Sequence, residues 1–182
     1  MVVLVEGNSD RVALQAVARR TGRNLADEGV EVVAMGGITN TRTWASRYGP
    51  HGLDVPLAGL YDAADEAKLR RGLVAAGVVS MRLEPDDLPA RGFYKCSADL
   101  EDELIRALGV EGVEEVIEAA GEGRSLRILA GMPVQRTWSR EAVLRRFLGS
   151  RSGRKSRYAA LFVEALEPDR LPEPLTAVLA TA

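Results

Sequence analysis

The sequence is poor in the residues that cross-link, stack or anchor a chain. Its 182 residues hold one cysteine, Cys96, so a disulfide scaffold is excluded and a small buried thiol is expected. Aromatic residues make up 5% of the chain, which predicts no obvious platform for stacked bases. Tyr94, Trp138 and Tyr158 are the few candidates. The one histidine, His51, lies in the turn Gly49-Pro50-His51-Gly52 and is expected to be exposed. No apolar run approaches the roughly 20 residues of a spanning helix. The opening Met1-Val2-Val3-Leu4-Val5-Glu6 has no basic segment and reaches a carboxylate at once, so it reads as a buried strand, not a signal peptide. These absences point to a cytoplasmic protein with no membrane association.

Hydrophobic residues are 46% of the chain and charged residues 27%, values ordinary for a globular domain with a substantial core. The net charge of -2 hides an asymmetry. From Arg136 to Arg157 the sequence carries Arg136, Arg140, Arg145, Arg146, Arg151, Arg154, Lys155 and Arg157, opposed within that run only by Glu141. The acids concentrate earlier. One end of the chain suits a polyanion, and another part suits metal binding or general acid–base chemistry.

Apolar runs alternate with helical patterns. Val2–Val5 is a predicted strand, followed by a helix from Asn8 or Ser9 to about Arg20. Val30–Met35 is a second strand, closed by Gly36-Gly37, and a helix containing Trp44 opens at Thr39 or Asn40. Val55–Tyr61 is a third strand, ending at Asp62; Ala64–Ala76 is a helix stopped by Gly77; Val78–Leu83 is a fourth strand. Helices over Leu100–Leu108, Glu114–Ala120, Ser139–Leu148 and Ser156–Leu166 follow, with a Pro-rich end expected to fray after Leu171. Gly121-Glu122-Gly123-Arg124-Ser125 is the best candidate linker. The alternation predicts a parallel sheet with right-handed crossovers, whose chemistry gathers at the carboxyl ends of the strands. Glu6, Gly36 and Asp62 each lie just past a strand end.

Carboxylates brought to one sheet edge repel unless protonated or bridged by cations, and hard oxygen ligands of this kind suit Mg²⁺ or Mn²⁺. Three segments together, Val-Leu-Val-Glu6-Gly7-Asn-Ser-Asp10, Val-Val-Ala-Met-Gly36-Gly37-Ile-Thr-Asn and Leu-Ala-Gly-Leu-Tyr-Asp62, resemble a Toprim domain, the metal-binding module of topoisomerases, primases and several nucleases. The subgroup they most resemble is the OLD (overcoming lysogenization defect) family of nucleases, in which an acid follows the glutamate motif four residues on, as Asp10 follows Glu6. The resemblance covers residues 1–85 well and the remainder more loosely. It implies an α/β, Rossmann-like Toprim fold with about four parallel strands flanked by helices and a helical C-terminal extension. Residues 1–120 would form the Toprim domain, and 121–182 a basic helical extension packed on it.

The resemblance also implies roles. Glu101, in Ser97-Ala98-Asp99-Leu100-Glu101, matches a Leu-Glu pair whose glutamate helps hold metal, and Lys155 matches a functional lysine downstream of the core. The implied metal set is Glu6, Asp10, Asp62, Asp65 and Glu101, with Glu6 and Lys155 catalytic. Toprim domains usually carry Asp-x-Asp after the third strand. Here Ala64 stands where the second aspartate belongs, so Asp65 or Glu66 has to replace it or one metal position is weakened. No Walker-type loop occurs: Gly149–Ser156 lacks the preceding strand and the glycine spacing, so any ATPase partner is a separate chain.

The implied activity is divalent-metal-dependent hydrolysis of nucleic-acid phosphodiesters, on DNA ahead of RNA. Arg136, Arg140, Arg151, Arg154, Lys155 and Arg157 would hold the backbone without reading sequence, and a homo-oligomer is compatible with this reading. Two alternatives stand beside it: a Toprim binding or partner module with weak or no chemistry, favoured by the missing Asp-x-Asp, and a small RNA-processing Toprim enzyme. Primase and topoisomerase activities are not expected, since a topoisomerase needs a nucleophilic tyrosine in a separate large domain for which 182 residues leave no room.

Overall fold

In a computed structural model, residues 1–82 and 84–182 are described. Four parallel strands, β1 (Val2–Val5), β2 (Glu31–Ala34), β3 (Leu57–Asp62) and β4 (Phe93–Cys96), form one sheet in the order β2-β1-β3-β4. The helices α1 (Asn8–Arg20), α2 (Thr41–Tyr48) and α3 (Glu66–Ala75) make the crossovers. β1 is all apolar because both faces of a parallel sheet are covered. Its alternation divides the core. Val3 and Val5 face α1, and Val2 and Leu4 face α2 and α3.

The remaining helices are α4 (Leu100–Ala119), α5 (Gly123–Ala130), α6 (Arg140–Leu148), α7 (Arg154–Ala165) and α8 (Glu173–Thr181). Their apolar residues, among them Leu104, Ile117, Phe147, Phe162 and Val178, join the core on the α1 face of the sheet. The two helices predicted over residues 100–120 run on as α4, interrupted at Gly109, whose φ of 76° and ψ of 158° only glycine adopts readily. α7 lies along α1, and Asn8 Nδ2 donates to Ser156 Oγ at 3.0 Å across that contact.

Two expectations are corrected. The fourth strand is Phe93–Cys96, not Val78–Leu83; Val78–Arg82 forms turns, and Leu83 lies outside the described residues. Val79 is buried in the layer of α2 and α3, so its apolarity serves that packing and not a strand pairing. A short apolar run does not distinguish the two by pattern. β4 sits beside β3 because Gly59 leaves room for Phe93: a Cβ on Gly59 would stand 2.8 Å from both Phe93 Cδ1 and Leu4 O.

The end of the chain does not fray. Pro172 and Pro174 flank the start of α8, where a missing N–H costs no helical bond. Leu175, Val178 and Leu179 are buried, and α8 lies against β3 and β4. Tyr94 Oη and Thr181 Oγ1 are 2.7 Å apart, and the Arg23 guanidinium donates to the carbonyls of Leu179 and Ala182 at the negative end of the helix. Each of the three buried side chains stabilises the fold by about 1.5–3 kcal/mol, which together approaches the net stability of a domain of this size. A chain ending at Leu171 is therefore expected to lose its cooperative thermal transition in circular dichroism. A transition within a few degrees of that of the full chain would contradict this account of α8.

Candidate metal centre

The strand order reverses between β1 and β3, since β1 leads by α1 to β2 on one side while β3 lies on the other. The carboxyl ends of strands at such a reversal open into a crevice. Glu6 leaves β1 there, and Asp62 ends β3 there. The main chain of Glu6 is fixed by its carbonyl, which accepts N–H bonds from Gly36 at 3.1 Å and Gly37 at 3.0 Å. Those residues have φ of 74° and 115°, so the two glycines after β2 are the residue type this turn into the next helix needs. Asp10, buried in the first turn of α1, accepts from the Gly7 N–H through Oδ2 at 2.8 Å. That bond caps the helix and aims the carboxylate back toward the strand end.

Asp65 comes to the same place by another route. After Asp62 the chain makes a single 3-10 turn, Ala63–Asp65, before α3 begins. This tight turn carries Asp65 back, so that carboxylate oxygens of Glu6, Asp62 and Asp65 lie within 4.8 Å of one another. Ala64 is exposed, and Glu66 is paired with Lys95 at 3.1 Å. Of the two acids able to stand in for the missing aspartate, Asp65 is thus the one beside Glu6 and Asp62. Asp10 and Glu101, expected in the same metal set, are not in this group, although their charges bear on Asp62. Glu101 accepts from Lys155 Nζ at 3.0 Å. α7, held on α1 by the Asn8–Ser156 bond, presents that lysine.

The electrostatics are those of a site short of positive charge. Asp62 is pushed up to about 7, first by burial and then by the charges of Asp10, Glu6, Asp99 and Glu101. Burial likewise takes Asp10 up to about 6, against the Gly7 N–H bond and helped by Glu101 and Glu6. Glu6 is raised by burial, then by Asp65, with Lys68 and Lys155 opposing. For Lys155, burial works against the ammonium, but Glu101, Asp99 and Asp10 outweigh it and raise the group. Glu6 Oε2 is buried with no hydrogen-bond partner among the described residues. An orphaned carboxylate oxygen facing two further carboxylates fits a hard divalent cation, whose oxygen ligands sit about 2.1 Å from the ion for Mg²⁺ and so about 3–4 Å apart.

The basic run is placed differently from its sequence. Arg154 is buried, donating to Phe147 O at 2.9 Å and Ser150 Oγ at 2.6 Å and pairing with Glu122. Arg157 also pairs with Glu122, at 2.8 Å. Arg140 binds Glu114 at 2.8 Å and Glu111 at 2.6 Å. The expectation that Arg154 holds nucleic acid is corrected by its burial. Arg140 and Arg157 are already ion-paired, and Arg136 donates to Gly131 O at 2.9 Å. Arg151 is exposed, and so are Arg146 of the same run and Arg124, which sequence reasoning left out. The three make no side-chain hydrogen bond or ion pair among the described residues. No signal in the sequence could have separated paired from unpaired arginines, because the partner acids lie on α4 or just beyond it, tens of residues away.

Two measurements follow from this geometry. Arg154→Ala would remove a buried guanidinium that bridges Glu122 and the Phe147 carbonyl, although Arg157 and Ser150 remain as their other partners, and is expected to lower unfolding stability by about 1.5–3 kcal/mol in denaturant, with Arg151→Ala near neutral. Asp10 and Asp62 have folded values above the ordinary 3.9 or so, so between about pH 4 and 7 the folded state holds the extra protons and stability falls as pH rises. In chelator the Tm is expected to be higher near pH 5 than near pH 7.5, with Asp62→Asn flattening the difference. Mn²⁺ should raise the Tm more at the higher pH. No cation-dependent shift at either pH would count against a metal site.

Residues 1–63 match the family described as Overcoming lysogenization defect protein-like, TOPRIM domain, a span that contains Glu6, Asp10 and Asp62. No curated protein matches the sequence. Among solved structures, the C-terminal region of the Xanthomonas campestris pv. campestris OLD protein is 26% identical, with 98% of this chain and 92% of that one covered and a TM-score of 0.73. The C-terminal region of the Burkholderia pseudomallei OLD protein is 24% identical, with 98% and 94% covered and a TM-score of 0.71. Residues 1–63 are thus similar to an OLD-like Toprim domain, and the fold of nearly the whole chain is similar to that of the C-terminal regions of OLD proteins.

Proposed function

We propose that the protein is a divalent-metal-dependent phosphodiesterase acting on nucleic acid, with DNA ahead of RNA as substrate. The observation that carries this reading is the convergence of Glu6, Asp62 and Asp65 around an unpartnered Glu6 oxygen. A phosphodiester is an anion and repels a nucleophile. Bound Mg²⁺ or Mn²⁺ would supply charge neutralisation and a more acidic water. Glu6, Asp62 and Asp65 would hold the cation, with Asp10 and Glu101 as the adjoining acids. Glu6, raised by burial and by Asp65, would be the group that takes part in proton transfer. Lys155, steered by Glu101, would offset the charge that develops on the phosphoryl oxygens.

The match to OLD-like Toprim domains supports the class of chemistry, and the fold shared with OLD C-terminal regions supports the placing of Glu101 and Lys155 beside it. In this reading residues 1–120 form the Toprim unit and 121–182 the helical extension that faces substrate. An ATPase partner, a homo-oligomer and a cytoplasmic setting belong to the same proposal. No described helix is long and apolar enough to cross a membrane.

The test incubates the protein with supercoiled plasmid, single-stranded DNA and structured RNA, in Mg²⁺, Mn²⁺ or chelator. Cleavage is expected with metal and not with chelator. Glu6→Ala should reduce it by more than the 10–100-fold typical of losing an outer-shell partner, and Lys155→Ala by about 100-fold or more. Metal-dependent turnover confined to RNA would reassign the substrate. The absence of turnover with any cation would leave a binding module. Cleavage undiminished in Glu6→Ala would overturn the cluster.

A further inference from the structure

Beside the acidic cluster a cleft of about 430 Å³ is walled by Asp99, Glu101, Trp138, Arg145, Arg146 and Lys155. Glu101 and Lys155 belong to the candidate metal centre, so the cleft begins where a scissile phosphate would lie. Its apolar wall is Trp138, which is 41% exposed. The other aromatics are engaged elsewhere. Tyr158 is buried, Tyr94 Oη is bonded to Thr181, and the Trp44 indole N–H donates to Met35 O at 3.1 Å. Arg146 lines this cleft and also a second one, of about 730 Å³, where it meets Arg124 and Arg151. A path of cations therefore leads away from Lys155, and the three arginines along it carry no ion pair among the described residues. An indole stands at its start.

We propose that this cleft is a nucleotide subsite. The base next to the scissile phosphate stacks on Trp138, and the strand's phosphates continue over Arg146 to Arg124 and Arg151. The word scissile rests on the nuclease reading above; the binding itself does not. A base inside a continuous duplex has both faces covered by its neighbours, so an exposed indole offers stacking only to an unpaired, splayed base. Arginines spaced along a groove follow a backbone without reading it. The substrate class is thus single-stranded or frayed nucleic acid, not intact duplex.

Trp138 has a competing structural role. It precedes Ser139, which caps α6, and it lines a further pocket together with Val143, four residues into that helix, in the arrangement of a hydrophobic staple. The test keeps the two roles apart. In chelator, where no turnover occurs, a Trp44→Phe protein has Trp138 as its one indole. Titration with a short oligothymidylate is expected to quench its emission, and a blunt duplex is not. Trp138→Leu, which preserves the staple, should weaken oligothymidylate binding about tenfold, the typical effect of one base–aromatic stack, with an unchanged Tm; Trp138→Phe should restore most of the loss. Arg146→Ala should lower the slope of log K against log salt by about 0.7, one phosphate on a single strand.

Absent quenching, or equal quenching by blunt duplex, overturns the subsite, as does full affinity in Trp138→Leu. Should Trp138→Leu fail to fold, the quenching and Trp138→Phe decide the matter. Intact quenching without metal-dependent cleavage sinks the nuclease reading and keeps the subsite. Cleavage with unaffected Trp138→Leu binding does the reverse.

Discussion

The mutual repulsion of carboxylates at the end of β1 and β3 is the constraint around which the rest of this molecule is arranged. Glu6, Asp62 and Asp65 approach within 4.8 Å, and the charges of Asp10 and Glu101 bear on Asp62. Such a group is unfavourable in a bare fold, and burial makes it worse. The fold tolerates it because each acid is held by something rigid. Glu6 is pinned through its own carbonyl by Gly36 and Gly37, Asp10 by the cap it makes on Gly7, and Asp65 by a 3-10 turn and by Lys68 at 2.6 Å. Stability given up at one edge of a sheet in this way is characteristic of a site that awaits a counter-charge.

The positive half of the molecule follows the opposite logic. Along the sequence the segment from Arg136 to Arg157 reads as an almost unopposed block of cations. In space α4 lies beside it and supplies Glu111 and Glu114 to Arg140, while Glu122, just beyond α4, takes Arg154 and Arg157. Arg145 reaches Asp99 and Asp102. Much of the charge is therefore internal to the helical layer, where its main effect is on how α4, α6 and α7 fit together. The part left for an anionic ligand is smaller and more directed. It runs from Lys155 along Arg146 toward Arg124 and Arg151, past the exposed Trp138.

The same distinction explains which expectations survived. β1, β2 and β3 were legible because a buried parallel strand must be apolar on both faces, and Glu6 and Asp62 were legible because they end such strands. The fourth strand was not. Val78–Leu83 is the more apolar segment and Phe93–Cys96 carries an exposed Lys95, yet it is Phe93 that fits the space Gly59 leaves beside β3. The end of the chain misled for a related reason. Prolines at 172 and 174 signal a break when read along the chain, yet they also suit the first turn of α8, whose Leu175, Val178 and Leu179 cover the sheet.

The sequence by itself determined the class of sheet, the positions of its first three strands and the acids that stand at their ends, because periodicity and strand termination are local properties of a chain. Tertiary structure decided whether Asp65 or Glu66 joins Glu6, which arginines remain unpaired, and that Trp138 and not Tyr94 or Tyr158 faces the cleft. Each of these turns on which residues distant in the chain come within a few ångströms of one another. Charge pairing and burial are properties of that proximity, and no local pattern encodes them.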